Sequence, residues 1–264
     1  MHFDCDCHVH TRRSFCGADD VTVEALVDLM PERGIKRFAV TDHSSHFYFD
    51  DTESARNVDI VLDPNKLAAS HDRAAKAIRD HLAMIRTFSA KGVLAGLEVD
   101  VTFSGDLVLP PGIKDELDVV VGAVHWLPGL SREHKPPLEQ VARDFLRLTF
   151  ALLEQGVDIL AHPTRIFRWN GLEVPERVVN PVIEAAIANN VALEINAHSE
   201  DPDAFFVRRC LEKGAKIAIG TDAHTLEAFG DFSYHRNILS QCGVSEADLK
   251  TILFSPGKES TIMK

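Results

Sequence analysis

Near the start of the chain the run DCHVHT (residues 6 to 11) sets Asp6, His8 and His10 at every second position. In an extended strand alternate side chains leave on the same face, so an acid and two imidazoles would converge on one region of space. A lone arrangement of this kind is as readily a solvated strand edge. The rest of the chain decides the matter, because the same residue types recur. Asp42 and His43 follow RFAV, Glu98 and Asp100 close VLAGLEVD, and His125 follows DVVVGAV. His162 ends VDILAH, Glu194 and Asn196 end VALEIN, and Asp222 and His224 end KIAIGTDAH. Burying so many ionisable groups without partners would be prohibitively costly, and bound cations remove that penalty. A mixed imidazole and carboxylate set suits Zn, Mn or Fe, whereas calcium takes oxygen alone.

Each of these residues stands at the same place in a repeating unit: a short β-branched run, a polar cluster, then a stretch of helical period. Seven such runs span 2–9, 37–42, 93–99, 118–124, 157–162, 191–196 and 216–222. Helices are expected over 21–33, 64–91, 137–155, 175–190 and 203–213, with Gly34, Gly92, Gly156 and Gly214 placed to cap four of them. Strands of buried type alternating with helices imply an α/β fold with a parallel sheet. Seven units in 264 residues, without a break in composition, favour one closed barrel spanning 1–264 as a single domain. Strand-end residues of such a barrel face one another at its C-terminal mouth. No clear helix stands between the third and fourth strands. Residues 131–138 and 165–175 read as long loops, and the tail after Gly230 as one or two helices covering an end of the barrel.

Composition narrows the functional classes. The formal charge of −12, from 28 Lys and Arg against 40 Asp and Glu, leaves no basic footprint for duplex nucleic acid. Five cysteines, with Cys5, Cys7 and Cys16 crowded at one end, do not form a disulfide framework and fit a reducing compartment. With no leader-like or membrane-length apolar run, the expectation is a soluble cytoplasmic protein.

The motifs DCHVHT (6–11), AVTDHS (39–44), GLEVD (96–100), GAVHW (122–126), LAHPTR (160–165), VALEINAH (191–198) and AIGTDAH (218–224), in this order, resemble the PHP (polymerase and histidinol phosphatase) family. The likeness is strongest to its stand-alone phosphatase branch and runs over nearly the whole chain. It implies a distorted (βα)7 barrel and three divalent transition metals, Zn before Mn or Fe. His8, His10, Glu98 and Asp222 would hold the first. Glu98 would bridge to a second, held by His125 and His162. His43 and His224 would hold the third with a residue of the loop after His10, where relatives carry histidine or aspartate. This chain has Cys16 there, with Asp19 and Asp20 nearby. A thiolate is a sound zinc ligand and disfavours Mn.

The implied activity is hydrolysis of a small phosphomonoester, such as histidinol phosphate or a nucleotide, by water that the metals activate. Glu98 and Asp222 would stand at its centre. Arg165 is the first candidate for a cation on the phosphate, with Arg168 and Arg12 behind it. The alternatives are a nuclease on nucleotide ends or short single strands, a C–N hydrolase of related architecture, and a non-catalytic module stabilised by metals. The partner is a small phosphorylated substrate, with no membrane and no duplex; the sequence leaves the oligomeric state open. Asp42, Asp100 and Asn196 are expected to orient ligands. His46 and His198 are expected at the mouth, and Trp126 and Trp169 either stack on a substrate ring or pack loops onto the barrel. His2, His71, His81, His134 and His235 are expected at the surface, and FFVRR (205–209) as a helix with one packed face.

Overall fold

The structure is a computed structural model and describes residues 1–49 and 63–257. Seven strands carry the frame: β1 (Cys5–Val9), β2 (Arg37–Val40), β3 (Val93–Asp100), β4 (Val119–Ala123), β5 (Ile159–Leu160), β6 (Ala192–Asn196) and β7 (Ile217–Gly220). They are parallel and neighbour one another in chain order. Above its last rung the seam between β7 and β1 is closed by Val9 pairing with Ala223, by His10 N–H donating to Ala223 O at 2.9 Å, and by Asp222 N–H donating to His8 O at 2.8 Å. Below, Ile217 pairs instead with Leu253, and Phe254 N–H donates to Ile217 O. The result is a nearly closed seven-stranded barrel, as the strand runs imply.

Between strands lie α1 (Val23–Arg33), α2 (Pro64–Ala69), α3 (His71–Arg86), α4 (Leu138–Glu154), α5 (Arg165–Trp169), α6 (Glu176–Ala188) and α7 (Ala204–Lys213), and α8 (Ser233–Gln241) and α9 (Leu249–Ile252) follow β7. Local chemistry sets their ends. Thr22 caps α1 through Ala25 N–H, Asp203 caps α7 through Phe206 N–H, and Gly34 and Gly214 close them in the left-handed region that glycine enters freely. The expected 64–91 helix is two helices that meet at Ser70, then a 3-10 turn, Ser89–Lys91, before Gly92. A 3-10 turn, Ile113–Glu116, is the one helical piece described between β3 and β4. None of the described helices is long and apolar enough to cross a membrane.

Strand alternation divides the core into two shells. On β3, Ala95, Leu97 and Val99 join the large outer core under the helices, while Glu98 and Asp100 take the opposite face. Within the lower lumen Cys7, Ala39, Val119, Val121, Ile159, Ala192 and Ala218 form a separate apolar cluster. Strand β1 departs from simple alternation because its register with β2 shifts between Asp6 and Val9. Cys7 therefore faces the lumen, and His8 beyond the irregularity does too. Asp6 does not join the histidines as the every-second-residue spacing suggests. Its carboxylate is turned into the β1–β7 seam, where it accepts from Thr221 N–H at 2.9 Å and Thr221 Oγ1 at 2.5 Å.

Two histidines expected at the surface are core residues. His81 lies on the buried stripe of α3 with Ile78, Leu82 and Ile85, its Nε2 3.0 Å from Asp42 Oδ2. His235, on α8, is fully buried and donates from Nε2 to Ile195 O and Gly220 O. His71 is half-buried, and His2 and His134 are exposed as expected. In α7 Phe206 and Val207 pack inward while Phe205 stays exposed.

Candidate metal centre

Glu98 lies on the lumen-facing row of β3, one step before Asp100, and is the hub of the mouth. Its Oε1 meets His162 Nε2 at 2.9 Å and His125 Nε2 at 3.3 Å. Its Oε2 meets His43 Nδ1 at 2.8 Å, His10 Nε2 at 3.4 Å and His8 Nε2 at 3.6 Å. Asp222, from the loop after β7, adds Oδ1 at 3.0 Å from His10 Nε2 and 3.5 Å from His8 Nε2. His224 stacks on His10 with ring centroids 4.4 Å apart. Three sets of side chains bring their ligand atoms within 4.8 Å of one another: His8, His10 and Glu98; His43, Glu98 and His125; and His10, Cys16, His43 and His224. The fold thus assembles all nine residues of the expected ligand set around one volume. Asp19 and Asp20 are exposed and join none of these sets, so Cys16 is the loop residue that reaches the histidines.

Outer hydrogen bonds aim the imidazoles. His8 Nδ1 is 2.8 Å from Glu194 Oε1, His125 Nδ1 is 2.5 Å from Asp100 Oδ1, and His224 Nδ1 is 2.7 Å from Asp222 O. In each case an acceptor holds the Nδ1 proton and leaves Nε2 free as a donor atom toward the centre, the arrangement metal-bound histidines need. Glu194 also accepts from His162 N–H at 2.8 Å and from Asn196 at 3.0 Å. Asp100 and Glu194 thus hold two imidazoles of the cluster directly, and Asn196 donates to Glu194 and to Asp222. Room for it depends on Gly220, where a Cβ would stand 2.0 Å from Glu194 Oε1. Likewise, a Cβ on Gly17 would lie 2.2 Å from Thr11 O, so only glycine allows the tight loop that presents Cys16.

Two residues of the cluster hold a backbone conformation unusual for non-glycine residues: His162 at φ 27° and Asp222 at φ 53°. Strained positions of this kind gather at functional sites. Buried Asp–Thr clamps brace the flanking chain. Asp42 accepts from Thr11 N–H and Oγ1 at 2.8 and 2.7 Å, and Asp201 accepts from Thr164 N–H and Oγ1 at 2.8 and 2.6 Å. The Asp6–Thr221 pair is the third. Each threonine follows or precedes a cluster residue by one or two positions, a signal the motif reading passes over.

Charge is balanced within the cluster. Burial would raise Glu98 and Asp222, but the facing imidazoles outweigh it and hold both well below the ordinary carboxylate range. Burial also opposes charge on His8, yet Glu194, Asp222 and Glu98 raise it well above the ordinary histidine value. His10 and His162 are lowered, mainly by burial and then by His43 and Arg165 respectively, toward the neutral form that ligates metals. At Cys16 burial is overcome by hydrogen bonds with His224 and His43, and the thiol falls to about 7.

The donor set fits divalent transition metals on a second ground. Glu98 Oε2 and His125 Nε2 are buried in the middle of the cluster without a hydrogen-bond partner, a condition that a shared cation relieves. Over them opens a cavity of about 750 Å³ whose floor includes Glu98 and Asp222 and whose rim carries Trp126 and Trp169. Arg165 lines it, held by Asp222 Oδ2 at 3.4 Å, by Ser199 Oγ at 3.2 Å and by a stack on Trp169, 4.5 Å from the ring centroid. The other candidate arginines stand elsewhere. Arg168 is tied to Asp201 and the Ser199 and Glu200 carbonyls, and Arg12 faces a different hollow beside Thr22 and Met84. His46 and His198 both line the main cavity, as does Arg132, which the sequence reading did not single out.

Comparison with known proteins gives the same grouping. A DNA polymerase/3'-5' exonuclease PolX of Bacillus subtilis (strain 168) is 29% identical over 230 residues, 86% of this chain and 35% of its own length. A probable phosphatase of Aeromonas hydrophila subsp. hydrophila is 23% identical over 252 residues, 92% of this chain and 87% of the relative. One of Thermoanaerobacter sp. (strain X514) is 28% identical over 163 residues, 58% of this chain and 61% of the relative. This chain therefore spans well under half of the polymerase and less than two thirds of the Thermoanaerobacter protein. The PHP domain profile matches residues 6–198, from Asp6 to the mouth residue His198, and the chain belongs to the PHP domain family.

Proposed function

We propose that the chain is a single-domain, metal-dependent phosphoesterase that hydrolyses a small phosphomonoester. The observation that carries this reading is Glu98, one buried carboxylate within 3.6 Å of five imidazoles and with an oxygen left unpartnered. In this reading His8, His10, Glu98 and Asp222 hold one metal, Glu98, His125 and His162 a second, and His43, His224 and Cys16 a third. When bound, divalent metals supply Lewis acidity and water of lowered pKa at the cavity floor.

The chain's own groups do the rest. Arg165, already fixed in plane by Trp169 and Ser199, offers its remaining N–H groups to phosphate oxygens, because phosphoryl transfer depends mainly on positioning and charge neutralisation. Hydrogen bonds that the imidazole Nδ1–H groups donate to Asp100, Glu194 and the Asp222 carbonyl keep the ligating nitrogens aimed while substrates exchange. The rim of Trp126, Leu130, Ile166 and Trp169 takes the organic part and excludes water from it. The thiol of Cys16 favours zinc at its site, and the five free cysteines fit a reducing cytoplasm.

The test is phosphate release from a panel of phosphomonoesters, including an aryl phosphate, histidinol phosphate and nucleotides, with Zn or Mn supplied. Turnover by the wild type that disappears in Glu98→Ala is the expected result. Silence across the panel with metals bound would overturn the reading. The exonuclease relative supports a second reading, cleavage at nucleic acid ends, and Arg132 at the rim could hold a further phosphate. Activity on short oligonucleotides exceeding that on every monoester would establish it.

A further inference from the structure

Ser14 sits in the loop after β1, fully buried. A hydroxyl has one proton to give and two sites that accept. The proton goes to Asp42 Oδ1 at 2.7 Å, since a carboxylate can only accept. The oxygen can then only accept, and two groups reach it: the His43 backbone N–H at 3.1 Å and His10 Nδ1 at 3.1 Å. His10 must therefore carry its proton on Nδ1, which leaves the Nε2 lone pair facing Asp222 and Glu98.

The direction of that hydroxyl is set one layer further out. Asp42 Oδ1 is held by Thr11 N–H at 2.8 Å and Ser14 N–H at 3.2 Å. Its Oδ2 accepts from Thr11 Oγ1 at 2.7 Å and lies 3.0 Å from His81 Nε2, a charge contact outside hydrogen-bond geometry. His81 comes from α3 and borders the hollow beside Met84, outside the cavity that holds the cluster.

We propose that His81, Asp42 and Ser14 form a positioning relay that fixes the tautomer and ring plane of His10, so that a helix residue outside the cavity sets how tightly the mouth holds a divalent metal. The relay rests on the reading that the cluster binds such metals. It adds residues that touch neither metal nor substrate, and an outer partner of this type is worth roughly 10- to 100-fold in metal affinity.

The experiment is a cobalt(II) titration of the metal-stripped full-length chain, read by visible absorption, with circular dichroism and metal-free melting temperature recorded beside it. The wild type is compared with Ser14→Ala, Ser14→Thr, His81→Ala and His81→Gln. Ser14→Ala is expected to weaken cobalt binding about 10- to 100-fold and His81→Ala about tenfold. Ser14→Thr and His81→Gln, which keep a polar group at each position, are expected to recover most of the affinity. His81→Ala removes a buried side chain and should lower the metal-free melting temperature, so affinities are compared at a temperature where circular dichroism shows every variant folded. Wild-type affinity and spectrum in both alanine variants would overturn the relay. Equal losses in the alanine and the conservative variants would also overturn it, by showing a packing defect. If Ser14→Ala fails to fold, the two His81 variants decide the question alone. No substrate is involved, so the two claims fail separately: a wild type that binds no cobalt sinks the phosphoesterase reading, whereas binding that is indifferent to the variants sinks only the relay.

Discussion

The lumen of this barrel is two environments on one set of strands. Below, Cys7, Ala39, Val119, Val121, Ile159, Ala192 and Ala218 pack against one another with Phe254 closing the end. Above, the same strands and the loops they enter present His8, Glu98, His125, Glu194 and Asp222. Advancing two residues along β6, from Ala192 to Glu194, crosses the boundary. The lower half is held by burial and needs no partner. The upper half gathers charges whose desolvation is offset only in part by one another, and it is built to be completed by cations. Stability and chemistry are therefore separable along the barrel axis, and each half is open to a test the other should survive.

The largest expected effect is at the hub. Stripping the metals with a chelator should lower the melting temperature of the wild type and move Glu98→Ala distinctly less, since Glu98 serves two of the three proposed sites and binding stabilises only a protein that binds. The same substitution should reduce kcat/KM on the best phosphomonoester by on the order of 10³-fold or more, the several kcal/mol that metal assistance supplies. An equal chelator response in both proteins would erase the proposed division. In the lower half Ile159→Ala should cost about 2–5 kcal/mol in denaturant unfolding, the range for a buried aliphatic cavity, while kcat/KM of the folded protein changes little. Loss of activity at unchanged stability would put Ile159 in the wrong half.

An effect of similar or smaller size concerns pH. Burial lowers His235 to about 4 from an ordinary 6.5. The folded form thus refuses a proton that the unfolded chain accepts, and the stability this residue provides is present above pH 6.5 and lost as pH falls toward 4. The full excursion is on the order of 3 kcal/mol. Asp6 acts in the opposite sense over part of this window, because burial raises it from 3.8 to about 6 and its protonated form is favoured on folding. The quantity to measure is therefore the difference between the stability-versus-pH curves of the wild type and His235→Gln. Parallel curves would deny His235 the role. The smallest expected change is at the rim, where Arg132→Ala should raise KM a few-fold with kcat unaltered, as for a solvent-exposed charge contact worth under about 1 kcal/mol. A fall in kcat would place it closer to the chemistry.

Most of the metal cluster was legible because each ligand occupies the same position in its strand unit, and strand order then fixes that they meet. Cys16 was legible only through the family's loop position; the structure adds that Gly17 permits the turn and that Asp19 and Asp20 point away. The line from Asp6 to His10 misled, because a register shift within β1 is a tertiary event that period-two counting does not contain. His81 and His235 were misread for a different reason. Histidine is assigned to the surface by habit, yet Ile78, His81, Leu82 and Ile85 already stand at helical spacing on one stripe, as do His235, Ile238 and Leu239. There the sequence carried the signal. Arg165 and Arg168 share α5 and differ in which of them meets the cavity, while Arg12 is set apart by the path of the loop after β1; no local pattern encodes either.

The seam between β7 and β1 has a consequence in time. His8 and His10 are made more than two hundred residues before their backbone partners Asp222 and Ala223. Closing so long a loop is an entropic burden that local contacts cannot lighten. During synthesis the first strand's imidazoles stay without Asp222 and His224 until the chain through His224 has emerged. A chain arrested before Asp222 consequently lacks two of the side chains of the cluster, and the centre cannot be completed until β7 and the loop after it are made.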